Sequence, residues 1–339
     1  MSPKSIGPAL TLMVLAPLVA EVLPGATRFS SLFVFPIEVL VWGGGALLIR
    51  YAVSRWQLGW WSMLSLALAL AVAEECLIQQ TSLAPMVIRL KGVTYARAFG
   101  LNYVYFFWAL IYEAVFVVFL PVYLTELIYP SRKEGLWIRK AGLFTVIPLF
   151  ILGSFLAWFT WTQIARTKVF HVPVYHPPYA ALVTAVAAMG VLTYLAFGPL
   201  RRIRSLQPST RRPAAPGVRS LAPGWVGTLG GIWAIGLYGM VLLGFGEAPD
   251  FPPLVAVAAE FVLFAIVIVC ISHATAGVWN APRRMFSLIF GIMLGSMTIS
   301  FLGFIWSGGP DLYFKIIVNV IAVALMIMLG RRIKNNLPA

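Results

Sequence analysis

The sequence predicts an all-α fold: a polytopic bundle of about ten transmembrane helices with both termini cytoplasmic. Three observations predict it. Of 339 residues, 60% are hydrophobic and 11% charged, with mean hydropathy +0.90. A soluble domain carries about 25% charged residues, so this inventory cannot build a soluble surface. The apolar residues fall in runs of about 20, the length that crosses a hydrocarbon core as helix, and not in the short alternating segments of a β-barrel. The basic residues, finally, alternate between loops. With the N-terminus placed inside, 18 of the 25 Lys and Arg residues lie in inward segments and 7 in outward ones, the asymmetry that orients membrane helices.

The spans follow in order. The first covers residues 8–24. It has the apolar core of a signal peptide but no A-x-A site, and is read as uncleaved. The next are 31–53, 57–79 and 99–127, the last long enough to tilt. Then come 141–163 and 178–199, which complete an N-terminal membrane half, 1–200, of about six helices. Residues 201–224 form a linker with six arginines and no hydrophobic periodicity. The C-terminal half, 225–330, holds spans 225–245, 254–276, 285–307 and 312–330, and residues 331–339 form a cytoplasmic tail.

The net charge of +14 is therefore topological. The linker arginines lack interleaved aromatics, so they point to anionic lipid headgroups and not to nucleic acid. Cys76 and Cys270 lie inside apolar runs and read as reduced packing residues. The chain has no GxxxxGK[ST] loop, no CxxCH and no CxxC, so no cofactor and no metal is expected. His171 and His176 lie in a Pro-rich outer loop and read as surface residues, whereas His273 lies inside the eighth span. Residues 80–98 read as an amphipathic outer loop. Gly227 and Gly231 form one small-residue stripe, and Ser287, Gly291 and Gly295 another, both suited to close helix packing. The run Gly43–Gly45 reads as a flexible or tightly packed point.

The acids carry the functional signal. Of eleven, Glu134, Glu247, Asp250 and Asp311 lie in loops, and Glu126 lies at a cytoplasmic helix end near Arg132. Six fall within spans: Glu21, Glu38, Glu74, Glu75, Glu113 and Glu260. At a rise of 1.5 Å per residue, Glu74 and Glu75 lie roughly 25 Å into a core of about 30 Å. Glu38 and Glu260 lie about 10 Å below the outer face, and Glu113 about 15 Å deep. All six belong to the outer half. A carboxylate at a helix centre costs about 2.5–3.5 kcal/mol and normally faces the bundle interior, where it marks a pathway or site. In an α-helix Glu74 and Glu75 point about 100° apart. The expectation is therefore that Glu75 and Gln79 share the inner face, with Glu74 turned to the basic outer loop. Glu113, Glu75, Gln79, Glu38, Glu260 and Glu74 are the candidate substrate or ion ligands. Whether Glu38, Glu75, Glu113 and Glu260 converge on one cavity decides whether they share a site.

The pair Glu74–Glu75 resembles the first motif, EExxxR, of the intramembrane CAAX-protease and bacteriocin-processing family. Gln79 stands where that family has Arg, no FxxxH follows, and Gly277 lies four residues after His273. The chain is not assigned to it. Three functions are compatible with the sequence. The first is a transporter or solute-binding permease with an acidic pocket open to the extracytoplasmic side, taking a small solute, proton or cation. The second is an intramembrane enzyme acting on a peptide or lipid, and the third a scaffold with an unidentified protein partner. The expected location is a bacterial-type cytoplasmic membrane.

Overall fold

A computed structural model of the chain describes residues 6–85, 95–203, 221–243, 251–275, 281–304 and 308–335. Among these residues the chain is almost wholly helical, with nine helices long and apolar enough to cross a membrane and one shorter apolar helix. In chain order they are α1 Gly7–Val22, α2 Phe29–Arg55, α3 Trp60–Ile78, α4 Tyr103–Ile128, α5 Lys140–Val169 and α6 Tyr179–Arg202. They continue with α7 Pro223–Leu243, α8 Pro253–Thr275, α9 Pro282–Phe304 and α10 Gly309–Asn335. A small hairpin, β1 Arg97–Ala98 and β2 Leu101–Asn102, precedes α4. The linker arginines at 204–220, most of the amphipathic loop (86–94), Glu247, Asp250 and the side chain of His273 lie outside the described residues.

α3 and α4 form the centre. Of their apolar windows 78% and 83% is buried, against 17% and 11% for α5 and α6, which present Phe144, Phe155, Tyr179 and Tyr194 outward. α4 touches α1, α2, α3, α7, α8 and α9. One buried core runs from Ala9 to Met326, so helices on both sides of the linker share it. α4 begins where the Asn102 side chain accepts the Tyr105 N–H at 2.9 Å, an ordinary N-cap. From there Tyr105, Trp108, Tyr112 and Phe116 recur at helical spacing and stack in a column, with centroids 4.8–5.8 Å apart. Trp108 Nε1 donates to the Leu237 carbonyl at 2.8 Å, which turns these rings inward against α7.

The glycines explain the close packing. A Cβ on Gly291 would lie 1.9 Å from the Gly227 carbonyl oxygen, and one on Gly295 would lie 2.4 Å from that of Gly231. The two small-residue stripes thus face each other as the α7–α9 contact. The run Gly43–Gly45 is tightly packed rather than loose. Successive residues turn by about 100°, and each glycine meets a different neighbour: Gly43 the Met13 backbone of α1, Gly44 Phe150 of α5, and Gly45 Leu70 of α3.

The end of α2 away from Glu38 is tied by Arg50. This residue is 4% exposed. Its Nε lies 3.1 Å from Glu126 Oε1, its Nη2 donates to the Lys133 carbonyl, and its guanidinium covers Trp137 at 4.4 Å. Arg50 on α2, not the sequence-adjacent Arg132, is therefore the partner of Glu126, because the helix end points Glu126 back into the bundle. Cys76 and Cys270 are buried and unpaired. α5, at 30 residues, is longer than α4 because it continues through Arg166 to Val169.

Gly291→Ala is expected to lower stability by about 1–3 kcal/mol through overpacking, read as a lower Tm in detergent. Gly239→Ala, whose Cβ would meet nothing within 4 Å, is expected to be neutral or to stabilise by up to about 1 kcal/mol through helix propensity. Equal melting of the two variants would contradict the α7–α9 contact.

Candidate functional site

Five carboxylates from the first four helices form a chain of electrostatic contacts: Glu21 on α1 interacts with Glu38 on α2, Glu75 on α3 and Glu113 on α4, and Glu74 on α3 interacts with Glu21, Glu38, Glu75 and Glu113. Glu38, Glu74, Glu75 and Glu113 are at most 7% exposed, and Glu21 is half-buried. Glu38, Glu75 and Glu113 are linked through Glu21 and Glu74. Glu260 stands apart from them: it sits on α8, whose main packing partners among the described residues are α7, α9 and α4. There it is fully buried, with neither oxygen hydrogen-bonded. Gln79 is half-buried at the end of α3.

The backbone at these acids is unusual. Each of the four helices widens there from i→i+4 to i→i+5 bonding. The Leu23 N–H reaches the Leu18 carbonyl at 2.9 Å, and the Gln79 N–H reaches that of Glu74 at 2.8 Å. The Gly44 N–H bonds the Val39 carbonyl just after Glu38, and the Leu120 N–H bonds that of Val115. The widened turns are Leu18–Val22, Val39–Gly43, Glu74–Ile78 and Glu113–Phe119. Such turns account for well under about 1% of residues in ordinary proteins and are frequent at functional sites. They also change the geometry. A turn holding more residues brings neighbours closer than about 100° in projection, so Glu74 and Glu75 can both face inward. Most of the basic loop to which the α-helical projection turns Glu74 (86–94) lies outside the described residues. Glu74 is fully buried, and neither of its oxygens accepts a hydrogen bond.

Two outer turns lend hydroxyls to the cluster. In the α1–α2 turn the Thr27 hydroxyl donates to Glu38 Oε1. In the turn after α3, Ser82 gives Glu75 Oε2 both its backbone N–H at 3.1 Å and its hydroxyl at 2.6 Å, and the Tyr105 hydroxyl bonds the same carboxylate. Glu113 lies within reach of the Trp42 indole N–H, which forms no well-aligned hydrogen bond. Glu38 Oε2 and Glu113 Oε2 are bare. Thr27 and Ser82 have no place in the sequence reading, although each lies in a polar turn a few residues beyond a span end.

The nearby described bases serve the turns rather than the acids. Arg166, 3% exposed, donates to the Pro173 carbonyl at 3.0 Å and to that of Pro85 at 3.3 and 3.4 Å. Arg97 donates to the carbonyls of Leu83 and Gly100, each at 2.5 Å. Like charges roughly 6 Å apart repel by about 3 kcal/mol at an effective dielectric near 20. Five carboxylates in this setting therefore require added positive charge, as bound protons or a cation. Among the described residues no three His, Cys, Asp or Glu side chains stand close enough together to hold one metal ion. His171 and His176 are exposed.

Glu74→Leu is expected to raise stability by about 1–3 kcal/mol, because it removes a buried polar group that gains no hydrogen bond. Ser82→Ala is expected to lower it by a similar amount, because Glu75 loses a donor. Thermal denaturation of the purified protein measures both. A Tm lowered by Glu74→Leu would mean that Glu74 is a packing residue.

No protein-family model, no curated protein and no solved structure matches this chain.

Proposed function

We propose that the protein is a transporter or solute-binding permease whose acid cluster takes a proton or cation from the extracytoplasmic side. The observation that carries this reading is the electrostatic linking of five carboxylates from four helices, with no basic side chain hydrogen-bonded to any of them among the described residues. Intramembrane acids facing a bundle interior mark ion and proton pathways. Membrane transporters hold such sites where helices depart from regular bonding, and all four helices do so at these acids. Glu74 and Glu113, together with Glu38 and Glu75, are the proposed ligands. Gln79 stands at the outer end of α3, and Glu260 belongs to a separate position.

The proposed topology has ten spans with both termini cytoplasmic, in a bacterial-type cytoplasmic membrane. The excess of Lys and Arg in alternate loops supports it. It sets two membrane halves, 1–200 and 225–330, around the basic linker 201–224, with a tail at 331–339. It also puts the acids in the outer half, near extracytoplasmic water, and the basic loops against anionic lipid headgroups.

The test is proton or cation flux in proteoliposomes, read with an internal pH-sensitive dye and with membrane-potential control. Glu74→Gln and Glu113→Gln are each expected to reduce flux at least tenfold, with Glu260→Gln close to wild type. Flux that survives both replacements removes the cluster from the mechanism.

A further inference from the structure

The α1–α2 turn, residues 23–28, is held from the far end of the chain. Lys315 on α10 is 1% exposed. Its Nζ donates to the Leu23 carbonyl at 3.0 Å, to the Pro24 carbonyl at 3.0 Å and to Ser300 Oγ at 2.9 Å. An ammonium has three donors, and all three are used. The Phe301 and Phe304 rings lie 4.7 and 5.2 Å from the charge. Carbonyls at a helix C-terminus carry the negative end of its dipole, so the carbonyls just past α1 supply the counter-charge that a carboxylate would otherwise give.

The rest of the turn is seated around this contact. Gly25 has φ +85°, and a Cβ there would strike the Phe304 ring at 2.6 Å. The N–H groups of Gly25, Ala26 and Thr27 all bond the Glu21 carbonyl, at 2.8–3.1 Å. Ser30 gives its N–H and its hydroxyl to the two oxygens of Asp311, each at 2.9 Å. Arg28 covers Phe304 at 4.7 Å. Three to four residues past the Lys315 contacts, Thr27 delivers its hydroxyl to Glu38.

We propose that Lys315 is a positioning residue: it latches the α1–α2 turn over the acid cluster and so keeps the Thr27 hydroxyl on Glu38. The consequence for flux rests on the transport reading above, but the latch itself does not. Without the ammonium, the Leu23 and Pro24 carbonyls lose their donor, the turn loosens, and Glu38 loses the hydroxyl that neutralises one of its oxygens. The carboxylate at Glu75, served by a different turn, keeps its donors.

Full-length protein in liposomes tests this with two readouts that do not depend on transport. Lys315→Met keeps the length and apolar contacts of the side chain while removing the charge. It is expected to speed amide exchange in residues 24–31 at least tenfold. It is also expected to shift the infrared carboxyl band that Glu38→Gln abolishes, while the band assigned by Glu75→Gln stays in place. Lys315→Arg, which restores a cation, is expected to recover part of both. Asp311→Asn, at the exposed edge, is expected to loosen the same segment more weakly, and it carries the test if Lys315→Met does not fold. Unchanged exchange and an unmoved Glu38 band in Lys315→Met overturn the latch, as does unchanged exchange in Asp311→Asn if only that variant folds. A moved band with wild-type flux in Glu74→Gln and Glu113→Gln supports the latch and removes the transport reading instead.

Discussion

Burial of carboxylates to which no described basic side chain is hydrogen-bonded is the constraint around which this end of the bundle is arranged. In a low-dielectric interior a base placed beside each acid would be the ordinary solution. Three described bases near these acids, Lys315, Arg166 and Arg97, instead satisfy backbone carbonyls. The carbonyls of Leu23, Pro24, Leu83 and Pro85 among them belong to two turns, 23–28 and 79–85, and each turn contributes a hydroxyl to one acid. The bases thus act on the cluster at one remove. They fix the donors that face it and leave the acids open to charge from elsewhere.

Close packing is what brings the four helices near enough for the acids to meet. Three consecutive glycines on α2 admit α1, α5 and α3 on three sides. Larger residues at those positions would hold the helices apart by the width of a side chain. The widened turns then re-aim the acids inside this tight frame. A turn with i→i+5 bonding has looser backbone geometry than an α turn, so the same segments that face the acids inward are those where the four helices deviate most from regular bonding. The end of α2 away from Glu38 is different. There Arg50 joins Glu126, the Lys133 carbonyl and Trp137 in one contact, and the helices below the cluster are regular.

The membrane class, the helix positions and the α7–α9 stripe were legible in the sequence, because run length and small-residue spacing report directly on helix packing. The depth argument also named Glu113, Glu38 and Glu75, whose side chains are buried. For Glu74 the 100° projection assumes α geometry, whereas Glu74 begins a widened turn. Glu260 was grouped with the others because depth says nothing about which side of α4 a helix occupies. Lys315 and Arg50 were counted as topology markers. Their contacts lie 291–292 and 83 residues away in the chain, a separation that local pattern does not encode. Thr27 and Ser82 are single hydroxyls in turns, and only the fold reveals what they face.

The cluster is not uniform, and its asymmetry has a direction. Glu38 and Glu75, beside the outer turns, accept hydroxyl or N–H donors. Glu74 accepts none, and Glu113, nearest the midplane by its position in α4, has a bare oxygen. A donor lowers the need of a carboxylate for added positive charge, and its absence raises that need. On the transport reading, a proton or cation arriving from the turns meets partly satisfied acids first and gains more by moving to the bare ones behind them. Hydroxyls at the entrance can accept as well as donate, so they can pass a proton without holding it. On the transport reading, this gradient draws charge from the turns toward α3 and α4. The latch at Lys315 then sets how firmly the outer acid keeps its donor, and so how steep the gradient is.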